Sequence, residues 1–275
     1  NKDFYNSLNL KSMKTKFKPD FVVYVQFMKV EKVSFKSDET LLKGELYIPG
    51  VKSESLQPTV CVCHGIPSVV KLERDPGYPA LATRFVEEGF VTLIFNFRGT
   101  GLSKGEFDYF GWCEDLKSAV SFLDHRKEVD GKRLAVVGFS GGAVTSIYTA
   151  ALDERIKAVV VGACPINMER LGRVIVESCR FGSLRVKMTP EKVEKLNRDL
   201  IMLEPLKWVD KISPRPILIV HGEKDELIEV TNAYRLYDKA KNPKKLIIVP
   251  NAQHRLRLNK EAVESILNWL KETLQ

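Results

Sequence analysis

Gly138-Phe139-Ser140-Gly141-Gly142 lies between an apolar run at 133–138 and a small-residue stretch at 143–152. The run fits a strand covered on both faces, which shows no polar alternation. The small-residue stretch, apolar nearly all round, fits a helix packed in the middle of a domain. In a strand–turn–helix context the G-x-S-x-G spacing is that of a nucleophile elbow. Glycines on either side let the helix and the neighbouring strand approach the serine closely. The turn lifts the Ser140 hydroxyl above the sheet edge, beside a helix N-terminus that favours developing negative charge. The same pattern arises by chance in glycine-containing loops, and the strand before and helix after remove most chance matches.

Outward from this turn, short β-branched runs alternate with helical spacing. Polar and apolar residues interchange at 29–35 and 41–48, which predicts a starting antiparallel pair. Continuous apolar runs at 59–63, 91–97, 156–161, 216–220 and 245–249 predict strands covered on both faces. Leu81, Ala82, Phe85 and Val86 fall on one helical face, with Gly89 as the stop. Leu116, Ala119, Val120 and Leu123 repeat that spacing, as do Val263, Ile266, Leu267 and Leu270 near the end. This order predicts an α/β fold, a mostly parallel central sheet with helices on both faces. Residues 166–213 break the rhythm, with helical pieces around 168–179 and 191–203 and no convincing strand. A connection of roughly 45 residues far exceeds the usual 2–6 and reads as a small helical lid insertion. The expected division is an N-terminal extension at 1–27, outside the core, and one domain at 28–275.

The chain of 275 residues is 44% hydrophobic and 28% charged, ordinary for a folded soluble protein. No apolar run approaches the ~20 residues of a membrane span, and no signal peptide is evident. Half of the +8 net charge sits in residues 1–29, which hold six lysines against Asp3 and Asp20. A basic stripe interleaved with exposed aromatics is missing, so nucleic acid is not an expected partner. Five cysteines at no zinc-site spacing read as free thiols, which suits a reducing, cytoplasmic compartment. Cys61 and Cys63 share a strand face and read as buried thiols rather than a metal clip.

A serine hydroxyl needs a base, itself oriented by an acid. In elbow proteins the chain order is serine, acid, histidine. Of the four histidines, His64, His125, His221 and His254, only His254 lies beyond any plausible acid. It falls in the loop after the run at 245–249, just before the last helix. The acid is expected in the loop His221-Gly222-Glu223-Lys224-Asp225-Glu226-Leu227-Ile228. Asp225 is the choice there, with Glu223 and Glu226 left open. The earlier loop Cys164-Pro165-Ile166-Asn167 offers no carboxylate until Glu169. An oxyanion hole needs N–H donors, each worth about 2.7–4 kcal/mol. Gly141, after the nucleophile, supplies one, and Ile66 in His64-Gly65-Ile66-Pro67 is the best second, since Pro67 has no N–H. His64, ahead of the serine at a strand end, reads as a residue shaping this loop.

Together these residues resemble the α/β-hydrolase superfamily over nearly all of 30–275. Asn96-Phe97-Arg98-Gly99-Thr100-Gly101-Leu102-Ser103 is further similar to the branch of feruloyl and cinnamoyl esterases, monoacylglycerol lipases and related serine peptidases. In that branch Arg98 and Ser103 shape the loop. The family's usual glycine three residues before the histidine is Asn251 here, the non-glycine residue that best tolerates φ > 0. The resemblance implies an acyl-enzyme mechanism with no metal and no organic cofactor: Ser140 attacks, His254 shuttles the proton, Asp225 orients the imidazole, and water deacylates the enzyme.

The leading expectation is a carboxylesterase acting on small to medium acyl or aryl esters. The insertion carries ten basic and seven acidic residues, with Leu171, Val174, Ile175, Phe181, Leu184 and Trp208 to line an acyl pocket. Alternatives are an aminopeptidase, for which Glu169 or Glu177 would hold the substrate ammonium, a thioesterase, and a hydrolase-fold binding protein without activity. The expected partner is a small-molecule ester. Oligomeric state is undecided, a homodimer through residues 1–27 being one option.

Overall fold

A computed structural model describes residues 28–50, 55–67 and 75–275. The extension expected at 1–27 lies outside the described residues. Among the described residues eight strands form one sheet, ordered β1(Lys29–Ser37), β2(Thr40–Ile48), β4(Val91–Asn96), β3(Gln57–Cys63), β5(Val129–Phe139), β6(Ala158–Gly162), β7(Ile217–Gly222), β8(Lys244–Val249). β1 and β2 form the expected antiparallel hairpin, β2 pairs antiparallel with β4, and the other pairs are parallel. The strand order reverses between β3 and β5. In an open α/β sheet that reversal leaves a crevice at the carboxyl ends of the strands.

Side chains alternate between two cores because both faces are covered. Cys61, Val136, Val159 and Ile217 join one core with α2(Tyr109–Asp124), α3(Gly141–Leu152) and α6(Thr231–Lys239). Val60, Val137, Val160 and Leu218 join the other with α1(Gly77–Glu87) and α7(Lys260–Leu274). All five cysteines are free and buried, Cys61 and Cys63 in the same core.

The insertion between β6 and β7 carries α4(Met168–Arg180), α5(Pro190–Met202) and two 3-10 turns, and no strand. Asn167 caps α4 by accepting from the Arg170 N–H, and Thr189 caps α5 with Pro190 in its first turn. Leu171, Ile175 and Leu184 are buried in the first core, whereas Val174 and Phe181 point to solvent. Much of the apolar surface counted for a pocket is therefore used to seat the insertion. Elsewhere α2 starts at Tyr109, earlier than its apolar stripe, because the Asp108 side chain caps it through Gly111 N–H at 3.2 Å. The polar helix α6, which buries only Ala233 and Leu236, has too narrow a stripe to stand out in sequence. No helix among the described residues is long and apolar enough to cross a membrane.

Candidate active site

β5 ends at Phe139 and α3 begins at Gly141, so Ser140 alone makes the turn, at φ 52° and ψ −122°. That left-handed φ is costly for a residue with a Cβ. It is held by the Ser140 N–H donating to the Gly162 carbonyl of β6 at 2.9 Å. Space explains the flanking glycines. A Cβ on Gly142 would fall 2.4 Å from the His64 carbonyl oxygen, and one on Gly138 would fall 2.3 Å from Ser146 Oγ.

The loops after β7 and β8 are sewn together beside this turn. Glu223 N–H donates to the Val249 carbonyl and Lys224 N–H to the Ala252 carbonyl, at 3.0 and 2.9 Å. Asn251 adopts φ 55°, as its residue type allows, and its N–H donates to Glu223 Oε2 at 2.9 Å. Glu223 thus braces the histidine loop, and exposed Glu226 makes no hydrogen bond to His254 among the described residues. Asp225 is the carboxylate that meets His254, whose Nδ1 lies 2.8 Å from Oδ2 and 3.1 Å from Oδ1. His254 Nε2 lies 3.2 Å from Ser140 Oγ. Burial by itself would raise the Asp225 pKa. Hydrogen bonds from His221, His254 and the Ile228 N–H outweigh it and hold the carboxyl well below the usual carboxylate range.

Ile66 and Gly141 border the same space. A Cβ on Gly141 would sit 2.9 Å from Ile66 Cγ1 and 3.5 Å from Ile66 N. Among the described residues nothing accepts from either backbone N–H. His64 fixes the peptide between Gly65 and Ile66. Its Nε2 accepts from the Phe97 N–H at 3.2 Å, so Nδ1 carries the proton and donates to the Gly65 carbonyl at 2.7 Å. A trans peptide points its N–H opposite its carbonyl, so this bond also sets the direction of the Ile66 N–H. Burial pushes the His64 pKa down to about 4, leaving the ring neutral at ordinary pH.

Arg98 Nε and Nη2 lie 2.9 and 2.7 Å from Asp115 Oδ1, and the Arg98 N–H donates to Oδ2 at 2.7 Å. Ser103 Oγ accepts from the Lys43 N–H and donates to the Asn96 carbonyl. Both residues shape the loop after β4. Sequence reasoning missed a second brace. Tyr78 hydroxyl accepts from the Gly65 N–H at 3.3 Å, the Arg257 guanidinium lies 5.0 Å from the Tyr78 ring centroid, and Arg257 pairs with Asp75. Asp75 and Arg257 are far apart in sequence, and no local spacing signals such a pair. No cluster of three His, Cys, Asp or Glu side chains suited to a metal occurs among the described residues.

A model of the prolyl oligopeptidase family matches residues 80–275. The uncharacterized protein YfhR of Escherichia coli (strain K12) is 28% identical over 170 residues, 61% of this chain and 54% of that protein. The chain thus spans about half the length of that relative. Polyketide transferase ATR5 of Stachybotrys chlorohalonatus is 25% identical over 286 residues, covering 86% of this chain and 94% of that protein. Among solved structures, hypothetical protein PA2218 of Pseudomonas aeruginosa superposes with TM-score 0.71 at 23% identity, over 96% of this chain and all of that one. Est1E of Butyrivibrio proteoclasticus, solved with ferulic acid bound, gives TM-score 0.66 at 23% identity, over 87% of this chain and 96% of that one.

Proposed function

The chain belongs to the prolyl oligopeptidase family and has the α/β-hydrolase fold, and from that premise we propose that this hydrolase is a serine carboxylesterase. Its substrates are esters of small to medium acyl or aryl groups. The observation that carries the reading is the hydrogen-bonded series from Ser140 Oγ through His254 to Asp225. His254 Nε2 takes the Ser140 proton as Oγ attacks the ester carbonyl. The tetrahedral oxyanion receives the N–H groups of Ile66 and Gly141, at the N-terminus of α3. His254 then protonates the leaving alkoxide, and a water that it activates releases the acid. Asp225, ionised, orients the imidazole and stabilises its cation.

The insertion acts as the lid of this site. Its apolar residues Leu171, Ile175 and Leu184 are occupied in packing, which favours shorter acyl chains over long ones. Buried free thiols support a cytoplasmic setting. The family also favours a second reading, an aminopeptidase. Against it, Glu169 is exposed and engaged with Arg173 at 3.1 Å, and Glu177 is exposed as well, so neither offers a buried carboxylate for a substrate ammonium.

Hydrolysis of p-nitrophenyl esters of increasing acyl length tests the reading, with Ser140→Ala beside wild type. The expected result is turnover that peaks at short or medium chains and disappears in Ser140→Ala. Turnover of aminoacyl amides with none of any ester would replace it by the peptidase reading.

A further inference from the structure

β7 carries His221 as its penultimate residue, and its imidazole is wholly buried. Nε2 lies 2.8 Å from the Ile228 carbonyl oxygen and 3.3 Å from Asp225 Oδ2. A carbonyl can only accept, so Nε2 carries the proton. Nδ1 is then buried with no hydrogen-bond partner among the described residues. A leucine or phenylalanine would fill this place without leaving a buried polar atom unpaired, so volume alone does not explain a histidine here.

What a hydrocarbon lacks is the Nε2–H. Asp225 Oδ1 accepts from the N–H groups of Leu227 and Ile228 at 2.9 and 2.8 Å, and Oδ2 faces both His254 Nδ1 and His221 Nε2. Ile228 closes a ring, donating its N–H to the carboxylate and offering its carbonyl to His221. The other polar groups here are turned elsewhere: Glu223 to the Asn251 N–H, and Arg255 and Arg257 to Asp75. Ser140 meets the far nitrogen of His254.

We infer that His221 is a positioning residue, whose Nε2–H holds the Asp225 carboxylate in its orientation toward His254 and shares the charge on Oδ2. The inference rests on the reading of Asp225 as the group that orients His254. Without the second donor, Oδ2 concentrates its charge on His254, whose cation is then over-stabilised, and the carboxylate is freer to turn. The first effect moves the acid limb of the kcat/KM profile upward, and the second lowers kcat with little change in KM.

The test compares His221→Gln, His221→Asn and His221→Leu. A glutamine carboxamide nitrogen reaches the place of Nε2, whereas an asparagine one reaches only that of Nδ1. With p-nitrophenyl butyrate, Gln is expected to keep kcat within about threefold with the acid limb unmoved. Asn and Leu are expected to lose roughly tenfold in kcat, about one hydrogen bond in the transition state, and to raise the acid limb by about half a pH unit. The downfield 1H NMR resonance of the proton between His254 and Asp225, assigned by its loss in His254→Ala, shifts further downfield in Asn and stays in Gln. An unmoved acid limb and proton in Asn, or a Gln variant as impaired as Asn, would overturn the inference. If Leu does not fold, the Gln and Asn pair decides. The NMR shift needs no substrate, so an enzyme inactive on esters would defeat the carboxylesterase reading while leaving this inference testable.

Discussion

The loops that carry Asp225 and His254 and the insertion that carries α4 and α5 are fastened to the same sheet by different means. The loops are held by backbone hydrogen bonds between β7 and β8 and by a buried carboxylate surrounded with donors. The insertion seats Leu171, Ile175, Leu196 and Leu200 in the core, and its seam with the loop before α2 adds exposed ion pairs to two backbone hydrogen bonds, Arg185 N–H to the Gly99 carbonyl and Phe107 N–H to the Arg185 carbonyl. There Lys192 pairs with Glu106 and Lys195 with Asp108, around a cavity of about 250 Å3, and these side chains are 35–64% exposed. The Arg185 guanidinium donates to the carbonyls of Thr100, Gly101 and Ser103. Buried groups lose heavily when a partner is removed, whereas exposed ion pairs contribute about 0–1 kcal/mol and weaken in salt. The groups of the proposed triad are built on contacts that do not yield, and the insertion proposed as the lid is held partly by contacts that do.

The largest break in this contrast is Asp225→Asn. It should lower kcat about 10⁴-fold with near-UV circular dichroism unchanged, because the imidazole loses its orientation and its counter-charge. A loss under tenfold would show that another carboxylate orients His254. Next, Gly142→Ala should destabilise by about 2–3 kcal/mol in urea unfolding and impair turnover, since its Cβ meets the His64 carbonyl at 2.4 Å. In the seam, Arg185→Ala should cost about 1–2 kcal/mol. Its activity should change only a few-fold and mainly through KM, and a loss to match Asp225→Asn would erase the contrast.

A smaller effect belongs to Asp75, whose pKa hydrogen bonds from Arg257 hold at about 2. The folded value lies below the unfolded one, so this group's stabilisation is fully present above about pH 4. It is lost as pH falls through about 2. The wild type should exceed Asp75→Asn by about 1 kcal/mol at pH 6, after allowance for solvent screening, and the gap should close toward pH 2. The smallest change is Lys192→Ala, under about 1 kcal/mol and vanishing at high salt.

The same contrast separates what could be read in the sequence from what could not. The elbow was legible because its chemistry is local: one serine between glycines, after a buried strand and before a helix. His254 followed from chain order, and the tolerance of Asn251 for positive φ from its residue type, which its φ of 55° bears out. Asp225 could not be separated from Glu223 and Glu226 by spacing, since all three share one loop. In the structure the Leu227 and Ile228 N–H groups fold the loop around the Asp225 carboxylate, the one of the three that meets His254. The Asp75, Arg257 and Tyr78 brace was invisible, because Asp75 and Arg257 are 182 positions apart and meet only in the folded chain.

The central claim is that Ser140 becomes acylated through His254. Rapid mixing with p-nitrophenyl acetate, acid quench and intact-mass spectrometry of wild type and Ser140→Ala test it most directly. The account predicts one acetyl group per wild-type chain, located on the peptide that contains Ser140, and none on Ser140→Ala. Equal acetylation of the two proteins, or steady hydrolysis by folded Ser140→Ala, would contradict it.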